Sequence, residues 1–95
     1  MMERRQYRFY GRVQGVGFRY RAQYTASRLG LTGWVMNEYD GSVLLEAQGE
    51  PEALERLVHD LRTSSRWIMI ENFTCRERPV DPEERSFRVR GGYDY

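Results

Sequence analysis

The sequence contains no lysine; all 15 of its basic residues are arginine. That absence excludes Schiff-base catalysis and the lysine of a nucleotide-binding phosphate loop. Cysteine is limited to Cys75, so no internal disulfide can form, which fits a reducing compartment. Histidine is limited to His59. No cysteines and histidines cluster at metal-binding spacing, so neither a metal nor a cofactor is expected. Long apolar runs are missing too. The longest falls far short of the ~20 residues that cross a bilayer. The opening Met-Met-Glu-Arg-Arg-Gln has no apolar region of the signal-peptide kind. The expectation is a cytoplasmic protein with no membrane partner.

What remains is one domain's worth of chain. With 95 residues and 40% hydrophobic content, the expected unit is a single monomeric domain over residues 1–95 with a modest core. The net charge of +1 conceals a segregation. Residues 1–30 hold seven arginines and one acid, whereas residues 31–60 hold seven acids and one arginine. A basic first third points to an anionic ligand nearby, although scattered surface charge gives the same composition. Arginine stays charged at any useful pH and grips phosphate with a two-pronged fork.

Alternation at period two predicts a first strand over Gln6–Val13, with Tyr7, Phe9, Gly11 and Val13 on one side. A loop leads into a helix over 19–29, whose apolar positions are Phe18, Ala22, Ala26 and Leu29. Gly30 is placed to end it in the left-handed conformation, with Leu31 just beyond. Gly33–Tyr39 and Ser42–Gln48 read as strands joined by an Asp40-Gly41 hairpin turn. A second helix starts near Pro51, with Glu50, Glu52 and Glu55 at its positive end. Its apolar stripe is Leu54, Leu57, Val58 and Leu61. Strands over Trp67–Thr74 and Ser86–Arg90 flank a polar loop, Pro79–Glu84. The order βαββαβ predicts an α+β sandwich with two helices on one face of a mostly antiparallel sheet. Many functions share that arrangement, so it decides none.

Chemistry concentrates in two stretches. The first is Gly11-Arg12-Val13-Gln14-Gly15-Val16-Gly17-Phe18-Arg19. Gly15 and Gly17, between a strand and a helix, let the backbone turn tightly and expose successive N–H groups at a helix N-terminus, an anion-binding arrangement. The fork of Arg19 is placed to reach the same anion. Spacing alone does not separate this from an ordinary strand–helix turn with a surface arginine. The second stretch is Gly33-Trp34-Val35-Met36-Asn37-Glu38-Tyr39-Asp40-Gly41-Ser42-Val43. Asn37 stands at a strand end before a tight turn. Its amide both donates and accepts, so it can orient a water without taking a proton, but asparagine also commonly flanks turns.

Together, in this order and spacing, the two stretches resemble the signature of the acylphosphatase family. The match is dense from Tyr10 to Gly49, and βαββαβ agrees with that family's ferredoxin-like fold. The resemblance implies hydrolysis of the carboxyl–phosphate anhydride of acyl phosphates. It implies Arg19 as the catalytic phosphate-binding arginine and Asn37 as the catalytic water-orienting residue. It also implies a phosphate cradle built from the backbone of Gly15, Val16, Gly17, Phe18 and Arg19. The match weakens after about residue 62, where Arg62-Thr63-Ser64-Ser65-Arg66 replaces the Gly-Pro pair of many members.

The same element order occurs in RNA recognition motifs, and Gly17-Phe18-Arg19-Tyr20 hints at one of their patterns. That pattern belongs on a central strand, however, and here it precedes a helix. No nucleic-acid partner is expected. Among residues with a nucleophile or base, His59 lies on the second helix, Cys75 falls outside both stretches, and Asp40 has its turn role. Glu38 adjoins Asn37 but should point to the opposite face of the strand. The expectation is therefore direct, in-line attack of water at phosphorus with no covalent intermediate.

Overall fold

The computed structural model describes residues 1–91. Its elements run β1 (Glu3–Arg12), α1 (Phe18–Arg28), β2 (Thr32–Asn37), β3 (Val43–Gly49), α2 (Pro51–Thr63), β4 (Met69–Arg78) and β5 (Phe87–Val89). The expected βαββαβ order is present, closed by a short fifth strand. The sheet is ordered β4-β1-β3-β2-β5. All its pairs are antiparallel except β2 with β5. The phosphate-loop candidate follows β1 and Asn37 ends β2, strands that are not neighbours; β3 lies between them.

Local chemistry accounts for the elements. Gly30 adopts φ 76° after α1. There its N–H donates to Ser27 O at 3.1 Å and that of Leu31 to Ala26 O at 2.9 Å, the paired bonds of a left-handed helix stop. Pro51 begins α2, where its missing N–H costs nothing. Between β2 and β3 the Asp40 carboxylate accepts from the Ser42 N–H and hydroxyl, at 3.0 and 2.6 Å, closing the turn.

One face of the sheet packs on both helices. Tyr7, Phe9, Val35, Val43, Leu45 and Ala47 from the strands meet Phe18, Ala22 and Ala26 of α1 and Leu54, Leu57 and Leu61 of α2 in a single core. Period two on the strands and 3.6 on the helices put these residues on facing surfaces. The other face carries a polar network instead. Arg4, buried, donates to Glu46, to Gln48 at 2.9 Å and to both carboxylate oxygens of Glu84. Thr32 donates to Glu84 as well, at 2.7 Å. These bonds pin the segment before β5 onto the sheet and satisfy charges whose burial would otherwise be costly.

Most boundaries shift by one or two residues from the sequence reading, with β2 at Thr32–Asn37 rather than Gly33–Tyr39, β3 at Val43–Gly49 rather than Ser42–Gln48 and β5 at Phe87–Val89 rather than Ser86–Arg90, and those of β1 and β4 shift furthest. β1 begins at Glu3 rather than Gln6, because Arg4 is drawn into the buried network and pairs with Gln48 and Arg78 in register. β4 runs Met69–Arg78 rather than Trp67–Thr74. In the apolar run 67–70 only Ile68 and Ile70 are buried, whereas Trp67 and Met69 are exposed. α1 starts one residue early, at Phe18, and residues 92–95 of the predicted tail lie outside the described residues. Among the described residues, no helix is long and apolar enough to cross a membrane.

Candidate active site

The segment between β1 and α1 alternates inward and outward. Phe18 is buried and its ring sits 5.5 Å from that of Phe9, while Val16 packs partly into the core. Gly15 and Gly17, alternating with them, are exposed. Both glycines are left-handed, with φ 74° and 77°. A Cβ at either would meet nothing within 4 Å, so conformation rather than crowding demands glycine, and space lies open over the loop. Gly17 is the N-cap of α1, and the first helical bond runs from Arg21 N–H to its carbonyl at 3.0 Å. No acid stands in the first turn of α1, and no side chain caps it. The anchored Val16 and Phe18 therefore hold this run of backbone at the positive end of a helix, a place suited to an anion.

Arg19 is the second residue of α1. Its guanidinium donates to the backbone carbonyl of Arg90 at 3.0 Å. Arg90 in turn donates its N–H to Val35 O at 2.8 Å, two residues before Asn37 on β2. The side chain of Arg90 is fixed as well, its guanidinium 4.8 Å from the centre of the Trp34 ring. Asn37 ends β2, opposite Val43, and is 7% exposed. Its strand alternation puts it on the helix-bearing side with Val35.

The hairpin beyond Asn37 is gripped from two directions. From the loop, the Gln14 amide donates to Glu38 O and Ser42 O, both at 2.8 Å. From β1, Arg8 donates to the Ser42 hydroxyl at 3.0 Å and to the Glu38 carboxylate at 3.3 Å. Ser42's hydroxyl, and secondarily its N–H, hold the Asp40 carboxyl below the usual range. Both ends of the 14–19 segment thus touch the chain beside Asn37: Gln14 through residue 38, Arg19 through residue 90 and then Val35.

The remaining reactive side chains are elsewhere. Glu38 is ion-paired to Arg8, as its opposite-facing position requires. His59 is exposed on α2. Cys75 is exposed on β4, yet desolvation pushes its thiol up, contrary to what a nucleophilic cysteine needs. Among the described residues, no three His, Cys, Asp or Glu side chains group as metal ligands. A cleft of about 430 Å³ between β2, β5 and the preceding loop sets Arg85, Arg88 and Arg90 against Asp81, Glu83 and Glu84, giving no net preference for an anion. The middles of β1 and β3, where an RNA-binding sheet would present stacking rings, carry Gln6, Arg8, Leu44 and Glu46 on the open face. Sequence reasoning missed Arg90, which acts through a backbone atom, and Gln14, whose amide gave no sign of its partners.

An acylphosphatase family model matches residues 5–89. The chain belongs to the acylphosphatase family. It is 40% identical over 89 residues to the acylphosphatase of Clostridium acetobutylicum, covering 94% of this chain and 98% of that one. It is 47% identical over 81 residues to the acylphosphatase of Bifidobacterium longum, covering 84% of each. An acylphosphatase structure from Coxiella burnetii superposes with a TM-score of 0.85 at 34% identity, over 94% of this chain and 93% of that one. Full-length HypF, solved with phosphate and nucleotide bound, contains a similar unit: TM-score 0.84 and 26% identity, over 97% of this chain and 12% of that one. As an acylphosphatase the chain is a hydrolase acting on acid anhydrides, and its bond is the carboxyl–phosphate anhydride.

Proposed function

We propose that the acyl phosphate binds with its phosphoryl group in the cradle of Gly15, Val16, Gly17, Phe18 and Arg19, and that a water held by Asn37 attacks phosphorus in line. The water oxygen forms a bond to phosphorus as the bridging oxygen–phosphorus bond breaks. That bond's electron pair leaves with the carboxylate, which departs without protonation. A proton of the water passes to a phosphoryl oxygen of the substrate, so no protein base is required. Arg19 and the loop N–H groups hold the other phosphoryl oxygens and strengthen their hold as charge redistributes, the main task in phosphoryl transfer. Asn37 contributes by positioning.

The observation that carries this reading is the double attachment of the cradle segment to the chain on either side of Asn37, through Gln14 and through Arg19. The chain acts as a single-domain monomer in the cytoplasm, where the exposed Cys75 thiol stays reduced.

Hydrolysis of benzoyl phosphate without added metal tests the reading, with wild type and Asn37→Ala compared. Asn37→Ala is expected to lower kcat by on the order of a hundredfold while the inhibition constant of inorganic phosphate stays within a few-fold. A change confined to KM would remove the water role. Trapping a phosphoenzyme on any side chain would remove the direct-attack mechanism.

A further inference from the structure

We infer that Gln14 is a positioning residue for the hydrolysis, its amide setting the distance between the phosphate cradle and the hairpin that presents Asn37. The inference rests on the reading of Asn37 as the residue that holds the water. Gln14 stands one residue before Gly15 and is half-buried. Its Nε2 donates to Glu38 O and to Ser42 O, each at 2.8 Å and 24 and 28 residues away. Glu38 is covalently joined to Asn37.

The hairpin does not need these bonds to close. The Glu38 N–H already donates to Ser42 O at 2.8 Å, and the Gly41 N–H to Glu38 O at 3.1 Å. Each carbonyl takes the Gln14 amide as a second donor, which its two lone pairs allow. What the amide adds is attachment to a different part of the chain. That attachment matters because β1 and β2 are not adjacent; β3 separates them in the sheet. Near the turn, Gln14 ties the loop after β1 to the backbone at the end of β2, whereas the neighbouring Arg8 on β1 reaches the same hairpin only at the side chains of Glu38 and Ser42.

The chemistry of the contact is selective. Two carbonyl acceptors call for two N–H donors on one atom, and a neutral amide supplies them without placing charge beside a phosphate site. A carboxylate would set oxygen against oxygen. In-line attack tolerates little error in the water's position, since a displacement of about 1 Å costs on the order of a hundredfold in rate.

The test is a double-mutant cycle on benzoyl phosphate hydrolysis using wild type, Gln14→Ala, Asn37→Ala and the double variant, with inorganic phosphate as the competing ligand. Gln14→Ala should lower kcat by about a hundredfold. The phosphate inhibition constant should stay within a few-fold. In the Asn37→Ala background the same substitution should cost no more than a few-fold, because no held water remains to be displaced. Equal losses in both backgrounds, or an unchanged kcat in Gln14→Ala, would overturn the inference. Gln14→Glu, equal in size, covers the case in which the alanine variant does not fold. The introduced carboxyl can donate only when protonated, so kcat relative to wild type should climb as pH falls toward the carboxyl range. A ratio that stays flat with pH counts against the role. The underlying reading fails differently: an Asn37→Ala variant with unchanged kcat would discard the water assignment, and the inference with it, whatever Gln14 does.

Discussion

The two helices of this acylphosphatase begin in opposite ways. α2 opens on Glu50 in extended conformation, then Pro51, with Glu52 in the first turn. α1 opens on a left-handed glycine, with no acid in its first turn and an arginine at its second position. Every helix start attracts negative charge through its unpaired N–H groups and its dipole. α2 answers that pull with its own carboxylates, one of which also pairs with the N-terminal ammonium at 3.1 Å. α1 leaves the pull unanswered by its own sequence and adds a cation to it. The same element is thus a structural start in one place and, in the reading proposed above, an anion site in the other.

The comparison breaks most severely at Arg19. Arg19→Ala should cost more than the roughly 3–4 kcal/mol lost with a single preorganised donor, because it removes two donors and a charge. In kcat/KM on benzoyl phosphate that exceeds about a hundredfold. Arg19→Lys should be nearly as damaging, since an ammonium lacks the fork. A loss below tenfold for Arg19→Ala would refute its role.

A gentler test gives α1 the acid that α2 has. Tyr20, the third residue of α1, is 65% exposed, so Tyr20→Glu removes little packing. A carboxylate at this position can reach back to the N-cap N–H. The inhibition constant of inorganic phosphate should rise by about an order of magnitude, consistent with like-charge repulsion of on the order of 1 kcal/mol or more. The thermal midpoint should not fall. The mirror substitution, Glu52→Gln, should leave phosphate binding unchanged and lower stability by about 0.3–1 kcal/mol in urea titration. Equal effects of the two on phosphate binding would erase the distinction between the helix starts.

The smallest effect concerns the hairpin beside Asn37. Ser42's hydroxyl, then its N–H, lower the Asp40 carboxyl in the folded protein. A carboxyl with a folded pKa below its unfolded one adds stability above the unfolded value and loses it as pH falls through the folded one. Wild type should therefore lose stability relative to Asp40→Asn as the solution is acidified through and below the ordinary carboxylate range. Parallel pH curves for the two proteins would show that the Asp40–Ser42 contacts do not stabilise the fold.

Much of this was legible in the sequence because local chemistry decided it. Asp40-Gly41 fixed the hairpin, Gly30 the end of α1, and the stripe of Leu54, Leu57 and Leu61 the buried side of α2. The two motifs carried the family. β4 was less legible because it is an edge strand mostly exposed along its length, so no alternation marks where it starts and stops. The start of β1 was hidden because Arg4 reads as a surface residue until Glu46 and Glu84 are brought to it from 42 and 80 positions away. The supports of the site were hidden for a related reason. Arg90 contributes a carbonyl that any residue would have, and Gln14 meets backbone atoms that no side-chain pattern encodes.

The bond from Arg19 to the carbonyl of Arg90 spans 71 positions of chain. Arg19 and its acceptor belong to different elements, α1 and the residue just after β5, and meet only in the folded protein. β1, α1 and the Asn37 hairpin all precede β5 in chain order. The bond to Arg90 depends on β5 being docked parallel to β2. The hold on Arg19 is thus completed by β5, only three residues long, so whatever loosens that strand also loosens the grip on the arginine proposed to bind phosphate.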